Sequence, residues 1–270
     1  MTRKKKILIT GATSGLGKYL AGQLRSSHDL LIVGRDPKKM ESYFPNSDKY
    51  QADLSSLAEV KKAAEQIAAE HESIDLLICN AGILGSENFT KTKEGIEKTL
   101  AVNYLSHYIL LARLWDKFST DSSAVLMVGS SAAAWYKVDF SDPESKSDYK
   151  SLKAYGRTKA MLMMLGQWVH TNSSSSRPKS YVFDPGTFRS GIARNRGQWF
   201  QYMYKLAGWA MTEAERAGLE MLNLVGGADY PAGKIIKKGK VKDLSFSTEE
   251  ISNLMEMSRT MTGCDINGKR

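Results

Sequence analysis

The chain has 270 residues, of which 42% are hydrophobic, 25% charged and 9% aromatic, a balance that excludes a disordered chain, a collagen-like repeat and a low-complexity assembly. The formal charge of +9 invites a nucleic-acid reading, but eleven positive charges lie in residues 1–6, 234–242 and 269–270, and without them 27 basic residues face 29 acidic ones. These basic ends read as solvated tails, so no specific nucleic-acid partner is expected.

In chain order, short apolar runs alternate with longer helical patterns. Residues 6–10 read as a strand, followed by a glycine-rich turn and a helix over 15–26. Strands are expected at 30–34, 49–52, 75–79, 124–129 and 180–183. Helices are expected at 57–70, at 92–118 with a break near Asn103, and at 152–171. Ser247 and Glu250 form a capping-box pattern opening a last helix with the stripe Ile251, Leu254, Met255 and Met261, stopped by Gly263. Strands apolar on both faces and separated by helices belong to a parallel sheet covered on both sides. The serine cluster at 172–176 is too short for a linker, which favours one domain over 1–270.

No apolar run approaches the ~18 to 20 residues of a membrane helix, and residues 7–10 are too short for a signal peptide. This reading has no transmembrane segment and places the chain in the cytoplasm. Cys79 and Cys264 lack any paired or metal-ligand spacing, so both read as free thiols and no metal is expected. The helices around 105–114 and 161–165 are apolar nearly all round, which fits a homo-oligomer interface as well as plain core packing.

Several residues carry chemistry. Thr10-Gly11-Ala12-Thr13-Ser14-Gly15-Leu16-Gly17 stands between the first strand and the first helix, where glycines let a backbone approach a pyrophosphate at the positive end of the helix. Asn80-Ala81-Gly82 follows the fourth strand, Ser130 ends the fifth, and Tyr155 precedes Lys159 by four residues. That interval puts phenol and ammonium on one helical face. An ammonium about 4 Å from a phenolate favours the ionised phenol by up to ~4 kcal/mol at an effective dielectric near 20, or about 3 pKa units. Glycine turns and the Tyr-x-x-x-Lys spacing each arise by chance; the ordered set does not.

The set TGATSGLG, Asp53-Leu54, Asn80-Ala81-Gly82, Asn103, Ser130, Tyr155-xxx-Lys159 and Pro185-Gly186 resembles the short-chain dehydrogenase/reductase family. The stretch TKEGIEKTLAVNYLSHYILL at 92–111, the 25-residue interval from Ser130 to Tyr155 with its insert 135–150, and the closing STEEISNLMEMSRTMTG are similar to the retinol-dehydrogenase-like branch. The resemblance implies a single-domain, doubly wound α/β fold of the Rossmann type. It also implies Tyr155 as general acid or base, Lys159 on the nicotinamide ribose, Ser130 on the substrate oxygen and Asn103 holding a water in a proton relay. Ser131 is the local rival of Ser130. Cofactor binding is implied for Gly11, Thr13, Ser14, Gly15, Leu16, Gly17, Arg35, Asp53, Leu54, Asn80, Ala81, Gly82, Tyr155, Lys159, Pro185 and Gly186. Ser190 is added because it stands where many relatives have threonine.

At the end of the second strand, Gly34 leaves out the acid that NAD-binding relatives carry, and Arg35 stands where NADP-binding relatives often have arginine. A guanidinium can pair bidentately with a 2′-phosphate, so NADP is expected over NAD; Asp36 on the ribose is the competing reading. Residues 187–212, with Trp199, Phe200, Tyr202, Met203, Tyr204, Trp209 and Met211, either line an apolar small-molecule substrate pocket or pack onto the core. Gly156 costs about 1 kcal/mol of helix propensity, which a close approach of the cofactor would explain. The expected activity is NADP(H)-dependent hydride transfer to or from an apolar aldehyde or ketone. The alternative is a non-catalytic dinucleotide-binding regulator on the same fold.

Overall fold

The structure, a computed structural model, describes residues 4–118, 122–173, 177–186, 214–226 and 230–266. Its centre is an eight-stranded sheet in the order β3-β2-β1-β4-β5-β6-β7-β8. The strands are β1 (Lys6–Thr10), β2 (Asp29–Gly34), β3 (Asp48–Gln51), β4 (Leu76–Cys79), β5 (Ala124–Val128), β6 (Lys179–Phe183), β7 (Lys234–Lys237) and β8 (Lys240–Asp243). All pairings are parallel except β7 with β8. The strand order starts at β1, runs outward through β2 and β3, then returns beside β1 at β4, so a crevice opens where β1 and β4 end.

Alternation along each strand divides the core into two layers. Leu8, Leu31, Leu77, Val125 and Val182 face one side, packed with α3 (Leu57–Glu70), α5 (Ser106–Leu114), α6 (Ser151–Thr171) and α8 (Thr248–Thr262). Ile7, Ile9, Ile32, Ile78, Leu126 and Phe183 face the other, against α1 (Gly15–Leu24), α2 (Pro37–Tyr43) and α7 (Ala214–Val225). Burying each such aliphatic side chain contributes roughly 1.5–3 kcal/mol. The apolar surrounds of Leu105, Ile109 and Leu114 and of Met161 and Leu165 are fully buried within this one chain, so core packing accounts for them. Among the described residues no helix is long and apolar enough to cross a membrane, and both cysteines are free and buried.

The helical pattern expected from residue 92 begins later. Residues 92–95 form a turn, with the Gly95 N–H on the Thr92 carbonyl and Gly95 at φ 82°. The Glu97 carboxylate then accepts the Leu100 N–H at 2.6 Å and opens α4 (Lys98–Leu100). At Asn103 the helix does not break; it widens into a π turn over Ala101–Leu105 and continues as α5.

The expectation that residues 234–242 are a solvated tail is overturned. Ile235 and Ile236 pair with Val182 and Phe183, and Ile236 is fully buried. Lys238 (φ 50°) and Gly239 (φ 70°) turn the chain back into β8, the backbone of a tight two-residue hairpin. Lys237 pairs with Asp184 and Lys234 with Asp243.

α8 has the capping box expected of it: the Ser247 hydroxyl accepts the Glu250 N–H at 3.1 Å, and the Glu250 carboxylate accepts the Ser247 N–H at 2.9 Å. Gly263 closes the helix at φ 64°. Ser247→Ala is expected to cost about 1 kcal/mol, read as a lower urea midpoint at unchanged slope.

Candidate functional site

Each of the six strands β1 to β6 delivers its C-terminal end to one cleft of about 630 Å³. β1 brings Gly11, Thr13, Ser14, Gly15, Leu16 and Gly17; β2 brings Gly34 and Arg35; β3 brings Asp53 and Leu54. β4 brings Asn80, Ala81 and Gly82; β5 brings Ser130 and Ser131; β6 brings Pro185 and Gly186, and α6 adds Tyr155 and Lys159. Sixteen residues to which the resemblance assigns cofactor contact therefore converge. Ser190 and the segment 187–212 lie outside the described residues.

The end of the cleft beside β1 and α1 is made by glycine. Gly11 (φ 71°) and Gly15 (φ 51°) adopt backbone that other residues disfavour. A Cβ on Gly17 would collide with the Gly11 carbonyl and the Asn80 amide. α2, α3 and α8 are each capped by a side chain, from Asp36, Ser56 and Ser247, whereas Ser14 at the start of α1 makes no capping bond. The first turn of α1 also carries no acid. An uncapped, acid-free helix start behind a glycine cradle fits an anionic pyrophosphate.

Behind that cradle the strand ends are tied together. The Asn80 side-chain amide donates to the Thr10 carbonyl at 2.8 Å. The Thr10 hydroxyl accepts the N–H groups of Asn80 and Ala81 at 3.1 and 3.0 Å and meets Nε2 of His107 at 2.9 Å.

At the other end, Ser130 is extended (φ −165°) and its oxygen accepts the Ala132 N–H at 3.2 Å, starting a short 3₁₀ turn over Ser131–Ala134. Ser131 is engaged elsewhere: its hydroxyl donates to Asp184 at 2.5 Å and accepts from Lys237. Of the two serines, Ser130 is the one whose hydroxyl proton these bonds leave to the cleft. The Asp184 carboxylate also accepts the Gly186 N–H at 2.9 Å and so shapes the Pro185-Gly186 turn.

Lys159 is buried, 5.8 Å from the Tyr155 ring centroid, and donates to the Val128 carbonyl at 2.7 Å. Burial pulls its ammonium down to about 8, against the opposing pull of Cys79 and Asp184. Gly156, beside Tyr155, is explained by protein rather than cofactor: a Cβ there would stand 2.7 Å from the Ala132 carbonyl and 2.8 Å from the Tyr136 ring.

Two expected residues sit differently. Asn103 is fully buried behind the wall; its side chain accepts the Ile83 N–H at 2.8 Å and donates to the Ile83 carbonyl and Thr158 at 2.9 and 3.0 Å. Asp36, the competing ribose ligand, is the cap of α2 and accepts the Lys39 N–H at 3.1 Å. Arg35 instead opens onto the cleft beside Asp53. Burial opposes ionisation of the Asp53 carboxyl, but the Ser55 N–H and hydroxyl and the Arg35 charge hold it below the usual carboxylate range. Among the described residues no three His, Cys, Asp or Glu side chains form a cluster able to hold a metal.

The family described as short chain dehydrogenase matches residues 5–200. The chain belongs to that family. Mouse retinol dehydrogenase 12 is 30% identical over 202 residues, 71% of this chain and 64% of its own length. Human retinol dehydrogenase 13 is 27% identical over 205 residues, 72% of this chain and 62% of its own. The chain thus spans less than two thirds of the length of these curated relatives, and its similarity to them accords with the branch its sequence resembles. A short-chain dehydrogenase from Sphingobium yanoikuyae in complex with NADPH shares the fold at TM-score 0.63 and 23% identity, covering 82% of this chain and 84% of that one.

In this short-chain dehydrogenase, sequence reading missed the residues that support the site. Arg157, on α6 two residues past Tyr155, gathers the insert 135–150: its guanidinium donates to the carbonyls of Lys137 and Asp142 and to the Ser145 hydroxyl at 2.9, 3.3 and 2.9 Å. In sequence Arg157 was only one of three basic residues, with Lys153 and Lys159, on the first turns of α6. The insert presents Trp135 (61% exposed), which with Leu152, Ile83 and Leu84 forms the apolar side of the cleft. The glycine cradle gives a paired prediction. Gly17→Ala is expected to lose about 1–3 kcal/mol of stability to the clash, whereas Gly22→Ala in the same helix, where a Cβ meets nothing within 4 Å, gains about 0.5–1 kcal/mol; thermal midpoints of the two variants read the contrast.

Proposed function

We propose that the chain is an NADP(H)-dependent oxidoreductase that interconverts an apolar aldehyde or ketone and its alcohol. The observation that carries this reading is that Ser130, Tyr155 and Lys159 share one cleft with the glycine cradle. The dinucleotide, when bound, supplies or takes up the hydride. Gly11, Gly15 and Gly17 with the start of α1 would hold its pyrophosphate. Arg35, next to a Gly34 that carries no carboxylate of its own, would pair with a 2′-phosphate. The NADPH complex of the Sphingobium relative is in keeping with that choice.

In carbonyl reduction charge grows on the carbonyl oxygen, which needs a proton donor and a second hydrogen bond. Tyr155 donates the proton through its phenol, and in alcohol oxidation the same oxygen takes it back. Ser130 donates to the substrate oxygen while its own oxygen stays fixed by the Ala132 N–H. Lys159 spends one of its N–H bonds on Val128, stands 5.8 Å from the Tyr155 ring centroid and would hold the nicotinamide ribose. Asn103 orients the Ile83 stretch of the wall; its water-holding role rests on the family resemblance. Trp135, Leu152, Ile83 and Leu84 make an apolar substrate end. The regulator reading is weaker because a non-catalytic protein would have no need of the complete Ser/Tyr/Lys set.

Tyr155→Phe is expected to cut turnover by about 100- to 10,000-fold with NADPH affinity kept within about threefold. The assay is NADPH oxidation across aldehydes, ketones, quinones and retinoids, beside a fluorescence titration of the cofactor. Normal turnover in that variant would sink the catalytic assignment. Arg35→Ala is expected to weaken NADPH binding by about tenfold, the worth of one exposed charge-assisted contact, and NADH binding hardly at all. Equal losses for the two dinucleotides would make Arg35 a structural residue only.

A further inference from the structure

We infer that His107 is a positioning residue that fixes the cofactor-facing wall by setting the direction of the Thr10 hydroxyl, an inference that rests on the dinucleotide reading above. His107 lies on α5, fully buried, four residues past Asn103. Its Nδ1 is 3.1 Å from the Asn103 carbonyl oxygen, which can only accept, so that nitrogen carries the hydrogen. Its Nε2 is 2.9 Å from Thr10 Oγ1.

Counting donors decides which way the second bond runs. Thr10 Oγ1 already receives two N–H groups, from Ala81 at 3.0 Å and from Asn80 at 3.1 Å, the latter shared with the Ile78 carbonyl at 3.0 Å, and these occupy both its lone pairs. A third donor from a charged imidazole would have no acceptor, and the hydroxyl proton would be left to the Ile78 carbonyl at 3.4 Å. With a neutral ring, Nε2 accepts the hydroxyl proton and every group is matched. Burial supports that state, pushing the imidazole down to about 4.

The chain of bonds therefore runs from the Asn103 carbonyl through the ring to Thr10 and ends on the backbone of Asn80 and Ala81, both on the cleft wall. Thr10 itself closes β1 where the glycine cradle begins. Without the ring as acceptor, the hydroxyl is free to rotate toward Ile78, and the lone pairs that receive Asn80 and Ala81 turn away. The wall between β1 and β4 loses its register although no residue touching the dinucleotide has changed.

The test uses the full chain and a fluorescence titration with NADPH, beside near-ultraviolet circular dichroism to establish folding. His107→Leu, close in volume and unable to accept, is expected to raise the NADPH Kd by about tenfold, the fold-change of one net hydrogen bond. Thr10→Val is expected to do the same. The double variant should show that same loss rather than about a hundredfold, because both changes remove one chain of bonds. His107→Gln, whose amide can donate to Asn103 and accept from Thr10, should return the Kd to within about threefold of the wild type. A folded His107→Leu protein that binds NADPH within about twofold of the wild type overturns the inference. So do losses that multiply in the double variant; if His107→Leu does not fold, unchanged binding in Thr10→Val has the same force. A wild-type chain that binds neither NADPH nor NADH removes the dinucleotide reading and this inference together, whereas wild-type binding with an unaffected His107→Leu removes this inference alone.

Discussion

Two backbone segments and the Asn80 side chain meet at Gly17 with no space for a single added carbon. The start of α1 lies against the Gly11 carbonyl and the Asn80 amide, so β1 and β4 are locked side by side at the point where the strand order reverses. The rest of the site depends on that contact. It leaves the N–H groups of α1 uncovered, brings the Asn80-Ala81-Gly82 turn under Thr10, and fixes the edge against which Lys159 is buried. Hydrophobic burial on both faces supplies most of the stability; this steric lock decides where the cleft opens.

The opposite end of the cleft is held by charges rather than by close packing. Asp184 gathers Ser131, Lys237 and the Gly186 N–H, and Arg157 gathers the carbonyls and hydroxyl of the insert. Both ions are buried and satisfied several times over, the condition under which a buried charge is tolerable. One consequence is division of labour between neighbouring serines: Ser131 belongs to the framework and Ser130 faces the cleft. A second is that the insert 135–150, polar and irregular in sequence, keeps a defined path next to Tyr155.

Much of this was legible in the sequence because the signals were local. β1, with its unbroken apolar run, and α3, with a regular apolar stripe, fall where the pattern puts them, and α8 follows its capping box. The glycine turn and the Tyr155/Lys159 spacing likewise carry their own geometry. What was hidden depends on partners distant in the chain. β7 and β8 are rich in lysine and read as solvated until Ile236 is seen against β6. Asp36 stood as the competing ribose ligand because a carboxylate after a strand can also be a helix cap. His107 gave no signal beyond being polar in an apolar helix, since its partner Thr10 is 97 residues away.

β8 ends the sheet, and all four of its residues are exposed. Its outer rim carries Lys240 and Lys242 around Val241. An extended strand from another molecule could find open backbone groups there, but four residues that carry lysine make the short, charged kind of edge that resists such pairing. The sheet is thus discouraged from continuing across molecules at this border.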